Sequence, residues 1–163
     1  MVQKEFGFKL IRSHEHYEAL AKGVHRFRST DQAGFFSLAK DIVRLTADSI
    51  DSSAIQKVVN VPKGEKWGSL RSLQALVALR DGREKARELV GPLVGAYELR
   101  LADAHLPSSE VEASLNLVGV KGNEPFVIQG CRLLHACVSS IYSIAEALRD
   151  SAKASGYGNI PRP

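Results

Sequence analysis

From residue 127 onward the chain repeats apolar residues with a regularity that leaves few folds open. Val127, Cys131, Leu134, Val138, Ile141, Ala145 and Leu148 follow one another at alternating steps of four and three. That spacing lays them in one a/d stripe along a helix, about three heptads long. A strand cannot use such a stripe, because successive side chains on a strand point to opposite faces. The helix therefore closes an antiparallel bundle, with its stripe inward, or seats the stripe against a second copy.

The rest of the chain supplies helices to pack against it. After "RSTDQ", where Thr30 or Asp31 can cap, Phe35, Leu38, Ala39, Ile42 and Leu45 recur at helical spacing. "SSAIQKVV" adds one or two turns, and "NVPKGEKWG" is a loop because Pro62, Gly64 and Gly68 interrupt any period. Leu70, Leu73, Leu76 and Val77 then mark a helix that stops at Gly82. The next helix runs from about Arg83 to His105 and carries Pro92, which should kink it. Ser108 or Ser109 starts a short helix closed by Gly119. Near the N-terminus the alternating Phe6, Phe8 and Leu10 of "EFGFKLIR" predict one short strand, either an edge piece or a leftover of a preceding domain in a larger protein, and Ser13 can cap a short helix ending near Gly23. The expected architecture is all-α: a bundle of four or five main helices over residues 30–150, preceded by a strand-like segment and short helix (1–29) and followed by a flexible Gly/Pro-rich tail (151–163).

Composition fits one domain with one core: 163 residues, 44% of them hydrophobic. The 22 Lys and Arg against 18 Asp and Glu give +4, spread along the chain, which permits a phosphate-bearing partner without requiring one. Cys131 and Cys137 are six residues apart on one helix, about 9 Å at the usual rise, and cannot bridge each other there. Free thiols, an N-terminus without an apolar leader and the lack of any run long enough to span a membrane predict a cytoplasmic protein. His14, His16 and His25 lack the spacing of a metal site, and "GVKGNEP" lacks the Lys-Ser/Thr pair of a phosphate-cradling loop, so neither metal nor cofactor is expected. His135, Ser139, Tyr142 and Glu146 share one face of the last helix without the third group that a nucleophilic site needs.

The stretch "AYELRLADAHLPSSE" at 96–110 is the unusual one. Stepped at helical pitch, Ala86, Val90, Leu93, Tyr97, Leu101 and Ala104 form an apolar arc, and Arg100 falls just inside its edge beside Leu93 and Tyr97. His105 lies at the opposite edge, about 140° away around the axis. One helix cannot bring the two together, but two copies about a two-fold axis can. Pro107 biases Leu106 out of the helix, so His105 sits at a helix C-terminus, where the dipole favours the imidazolium.

An Arg, four intervening residues and a His, late in a small all-α domain and ahead of a long closing helix, resemble the motif of the HEPN (higher eukaryotes and prokaryotes nucleotide-binding) superfamily. Arg100 and His105, with "LADA" between them, carry the motif, and "GSLRSLQALVALRDG" and "FVIQGCRLLHACVSSIYSIAEAL" stand where the flanking helices would. The resemblance covers roughly residues 30–150. It implies a HEPN-like homodimer that cleaves RNA without metal, as the effector of a toxin or defence system, with an inhibitory or sensor protein as a further partner. His105 would then act as acid and base and Arg100 would steady the phosphate. Asp103 and Tyr97, close to Arg100 on the helix, would support it. Many relatives are instead non-catalytic modules that pair or sense a partner, and Leu101, where active members often carry a polar residue, points toward that alternative.

Overall fold

A computed structural model describes residue 3, residues 7–105 and residues 108–154, with side chains described except at 102–105, 108 and 150–154. The fold is all-α. Among the described residues from Tyr17 onward six helices follow one another: α1 (Tyr17–Gly23), α2 (Gln32–Leu45), α3 (Ser52–Ile55), α4 (Ser69–His105), α5 (Ser108–Leu117) and α6 (Phe126–Ala154). Single 3-10 turns at Arg26–Arg28 and Ala47–Ser49 flank α2. The long α4 packs against α2, α5 and α6, so it is the axis of the bundle. None of the described helices is long and apolar enough to cross a membrane.

Local chemistry explains where the helices begin. Asp31 caps α2, its Oδ1 accepting from the Gly34 N–H at 2.7 Å, and Asp51 caps α3 by accepting from Ala54 N–H at 3.0 Å. Each satisfies one donor that a helix start leaves without an intrahelical partner. From α2, Phe35, Leu38, Ala39, Ile42 and Val43 enter the core, where Leu76 and Val77 of α4 and Leu133 of α6 are also buried. Gln56 fixes the loop that follows α3, its Nε2 donating to the Trp67 carbonyl at 2.8 Å and to Ser72 Oγ at 2.9 Å.

Three expectations change. The strand expected over "EFGFKLIR" is absent among the described residues: Gly7 takes φ 76°, which interrupts the extended run, and only an isolated antiparallel bridge, Ile11 to Ile50, forms. Arg12 N–H donates to Ser49 O at 2.8 Å and Asp51 N–H to Leu10 O at 2.9 Å, so this segment is tied to the turn after α2 rather than to a sheet. Phe6 lies outside the described residues.

The break expected at Gly82, where one helix ends and the next begins, is present, whereas Pro92, expected to kink the second helix, keeps helical backbone angles. Gly82, at φ 82° and ψ 165°, is the non-helical residue within α4 and divides it into two arms. A side chain is strained at that φ, which is why glycine serves as the joint. The second arm keeps its course through Pro92, and α6 supplies donors beside the proline: Ser140 Oγ–H donates to Leu89 O at 2.6 Å and Cys137 Sγ–H to Pro92 O at 3.8 Å. A proline disturbs the carbonyls one turn before it, and a hydroxyl from the neighbouring helix meets one of them.

The third change is a register shift on α6. The buried line there is Gly130, Leu133, Cys137, Ser140 and Ile144, each one residue ahead of a member of the apolar stripe, with Leu148 closing it. One residue is about 100° of rotation. The stripe itself becomes a shoulder: Val127, Cys131, Leu134 and Ile141 are half-buried, and Val138 and Ala145 are exposed. Gly130 is required by the inner line, since a Cβ there would stand 2.5 Å from Ser29 Cβ. Ser29 in turn donates its hydroxyl to Phe126 O at 2.8 Å, joining the start of α6 to the turn before α2. Burial pushes the Cys137 thiol up to about 12, so it is a protonated core filler rather than a nucleophile.

Candidate functional site

Arg100 reaches its position because the second arm of α4 changes neighbours along its length. Up to Leu93 the arm buries Ala86, Val90 and Leu93, as the apolar arc predicts. Beyond it Gly95 lies against α5, where an added Cβ would meet Leu117 Cβ and Ser114 O at 2.8 Å, and the buried residues become Ala96 and Leu99. Tyr97 is half-buried and Leu101 is 47% exposed, contrary to their places on the arc; Ala104 has no described side chain. Ser114 Oγ–H donates to Glu98 Oε2 at 2.9 Å, which fixes α5 on this arm.

Arg100 is not left unpaired at an apolar edge. Its Nη1 donates to Asp48 Oδ2 at 2.6 Å, and its guanidinium lies over the Tyr97 ring at 4.3 Å from the centroid. Asp48 belongs to the turn after α2, and the same turn is held from the other side by Arg12, whose Nη2 donates to the carbonyls of Asp48 and Ile50 at 3.4 Å. Two arginines thus converge on one turn, one through its carboxylate and one through its backbone. The Arg100 side chain keeps 21% of its surface exposed, and among the described residues no second carboxylate engages it. A planar guanidinium gripped at one edge and one face is fixed in orientation.

The structure brings Tyr97 to Arg100 as the sequence suggests. Asp103 and His105 lie on the last turns of α4, with His105 its final residue, and their side chains lie outside those described. Among the described residues the acid that orients Arg100 is Asp48, 52 residues away in sequence, a partner that sequence reading missed. Nothing local to "TADSID" marks Asp48 as a partner of a distant arginine. Among the described residues no group of His, Cys, Asp and Glu could hold a metal ion.

A second cluster that sequence reading did not single out lies at the loop before α4. Glu65 Oε2 accepts from Trp67 Nε1 at 2.7 Å and from Arg71 Nη2 at 2.6 Å, while Arg71 lies over the indole at 4.9 Å. His135, Ser139, Tyr142 and Glu146 are all exposed on α6, on the side of the apolar shoulder. Near the start of that helix the Arg132 guanidinium hydrogen-bonds Glu124 at 2.8 Å and holds its carboxyl below the usual carboxylate range.

Compared with protein-family models, curated proteins and solved structures, the chain matches none.

Proposed function

We propose that this domain is a helical pairing module that docks a second copy of itself along the outer shoulder of α6. The observation that carries this reading is the shoulder itself. Ile128, Val138 and Tyr142 are 45%, 48% and 71% exposed, and with half-buried Cys131, Leu134 and Ile141 they make an apolar strip beside the inner line, with exposed His135 set between Ile128 and Tyr142. A surface helix of a bundle needs an apolar arc a little over 100° wide; α6 is apolar over nearly twice that. Isolated exposed apolar side chains are ordinary, but a strip of them along one helix marks an interface. The Arg100–Asp48 pair also favours a non-catalytic module, because the arginine's charge is balanced within the chain. Pairing stabilises the folded state by mass action. The thermal midpoint is therefore expected to rise with protein concentration for the wild type, and to be independent of concentration in Val138→Glu/Tyr142→Glu. A midpoint independent of concentration in both would overturn this reading.

The second reading is metal-independent RNA cleavage by a HEPN-like dimer, with Arg100 holding a phosphate and His105 moving protons. One observation favours it: Arg100 is anchored by Asp48 and Tyr97 at the end of α4 that carries His105, with part of its side chain still open to solvent. On this reading the wild type cleaves single-stranded RNA in excess chelator. His105→Ala and Arg100→Ala each lower the rate by about 100-fold, the range for loss of an acid–base or charge-stabilising group. Absence of cleavage by the wild type, or equal rates in all three proteins, excludes it.

A further inference from the structure

We infer that the groove at the elbow of α4 is a docking site for an acidic amphipathic helix of a partner protein. The groove encloses about 900 Å³ and lies between the loop after α3, the first arm of α4 and the start of the second. Gly82 makes it: its positive φ turns the chain so that Arg83 and Arg87 line the same hollow as the face of the first arm.

The floor and walls suit a helix. Ala75 and Ala78 are small and one turn apart on the first arm, which lets another backbone approach closely. Leu79, 59% exposed, and Val58, 38% exposed, offer apolar contact on its sides. An apolar groove with side walls of this kind receives the apolar face of a helix through residues one turn apart.

Charge decides what that helix carries on its flanks. Arg71, Arg83 and Arg87 line the groove against a single lining carboxylate, Glu84. Arg71 is engaged by Glu65, whereas Arg83 and Arg87 form no ion pair with a described residue. Both are exposed, so they can meet carboxylates without first breaking a contact. The same cations would attract RNA, but a single-stranded nucleic acid binds by stacking its bases on open aromatic faces. Here the one aromatic ring, Trp67, already has Arg71 over it at 4.9 Å, and the rest of the floor is aliphatic. An acidic helix uses both the aliphatic floor and the free arginines. This site lies on α4 and the loop after α3 and is independent of the α6 shoulder.

Trp67 is the only tryptophan in the sequence, so indole emission reports on this groove alone. The test titrates the full chain with a synthetic helix of about 18 residues, leucines on one face and glutamates elsewhere. Its lysine twin and a single-stranded RNA of about a dozen nucleotides are titrated alongside. The glutamate peptide is expected to shift the emission and saturate, with the lysine twin at least about tenfold weaker. Arg83→Glu/Arg87→Glu, on an exposed surface, is expected to weaken the glutamate peptide by at least about tenfold while leaving the helical content unchanged. An unaltered emission with the glutamate peptide, equal binding of both peptides, or saturation by RNA in its place would each overturn the inference.

Discussion

Leu133→Ala is expected to destabilise the domain by about 2–5 kcal/mol, and Leu134→Ala by less than half as much. The two leucines are adjacent in sequence and equally apolar, so the difference tests the register of α6 and nothing else. Leu133 is fully buried among residues of α2 and α4, and truncating it leaves a cavity that the rigid neighbours cannot fill. Leu134, on the shoulder, is half-buried and already meets water on one side, so less apolar area is lost. Urea unfolding of the two variants, compared by midpoint and slope, measures both values. Equal losses, or the larger loss at Leu134, would put the core on the stripe of Val127 to Ala145 and remove the shoulder.

Gly130→Val is expected to lower stability by about 3 kcal/mol, against the usual direction for a helical glycine. In an open helix a glycine costs roughly 1 kcal/mol relative to alanine, so a side chain would ordinarily help. Here the added Cβ would lie 2.5 Å from Ser29 Cβ and 3.0 Å from its Oγ, before any branch is considered. Ser29 is buried, and its hydroxyl bond to Phe126 O ties the start of α6 to the turn before α2. Relieving the clash means moving α6 outward, which opens the core along Leu38 and Leu133. Gly68→Ala, where nothing lies within 4 Å, serves as the control and should change stability by no more than about 0.5 kcal/mol. Thermal unfolding of both variants decides it; a Gly130→Val protein as stable as the control would mean that the close approach does not exist.

What could be read in the sequence was whatever depends on near neighbours. Asp31 as a cap, Gly119 as the end of α5, the loop around Pro62 and Gly64 and the all-α class follow from residues a few positions apart, and the structure has them. The register of α6 was missed because its inner line contains Gly130 and Ser140. Neither scores as apolar, yet one permits the approach of Ser29 and the other meets the Leu89 carbonyl beside Pro92. The joint of α4 was legible at Gly82, since a glycine takes φ 82° without strain, whereas the kink expected at Pro92 is missing because a neighbouring helix can satisfy the carbonyls a proline disturbs. The strand failed at Gly7 for the same conformational freedom. At the candidate site the sequence marked Arg100 as out of place and put Tyr97 beside it. The reason Arg100 tolerates its position, Asp48, joins residues 52 apart, and no local pattern encodes that pairing.

On the proposed reading α6 carries two apolar faces, the inner for its own core and the outer for a second copy. Sedimentation equilibrium of the wild type and of Val138→Glu/Tyr142→Glu, from about 1 to 100 µM, tests it most directly. The wild-type mass is expected to climb toward twice that of the chain, and the variant to stay at the mass of one chain with its helicity intact. A wild type that remains a single chain throughout, or a variant that pairs as tightly as the wild type, would contradict it.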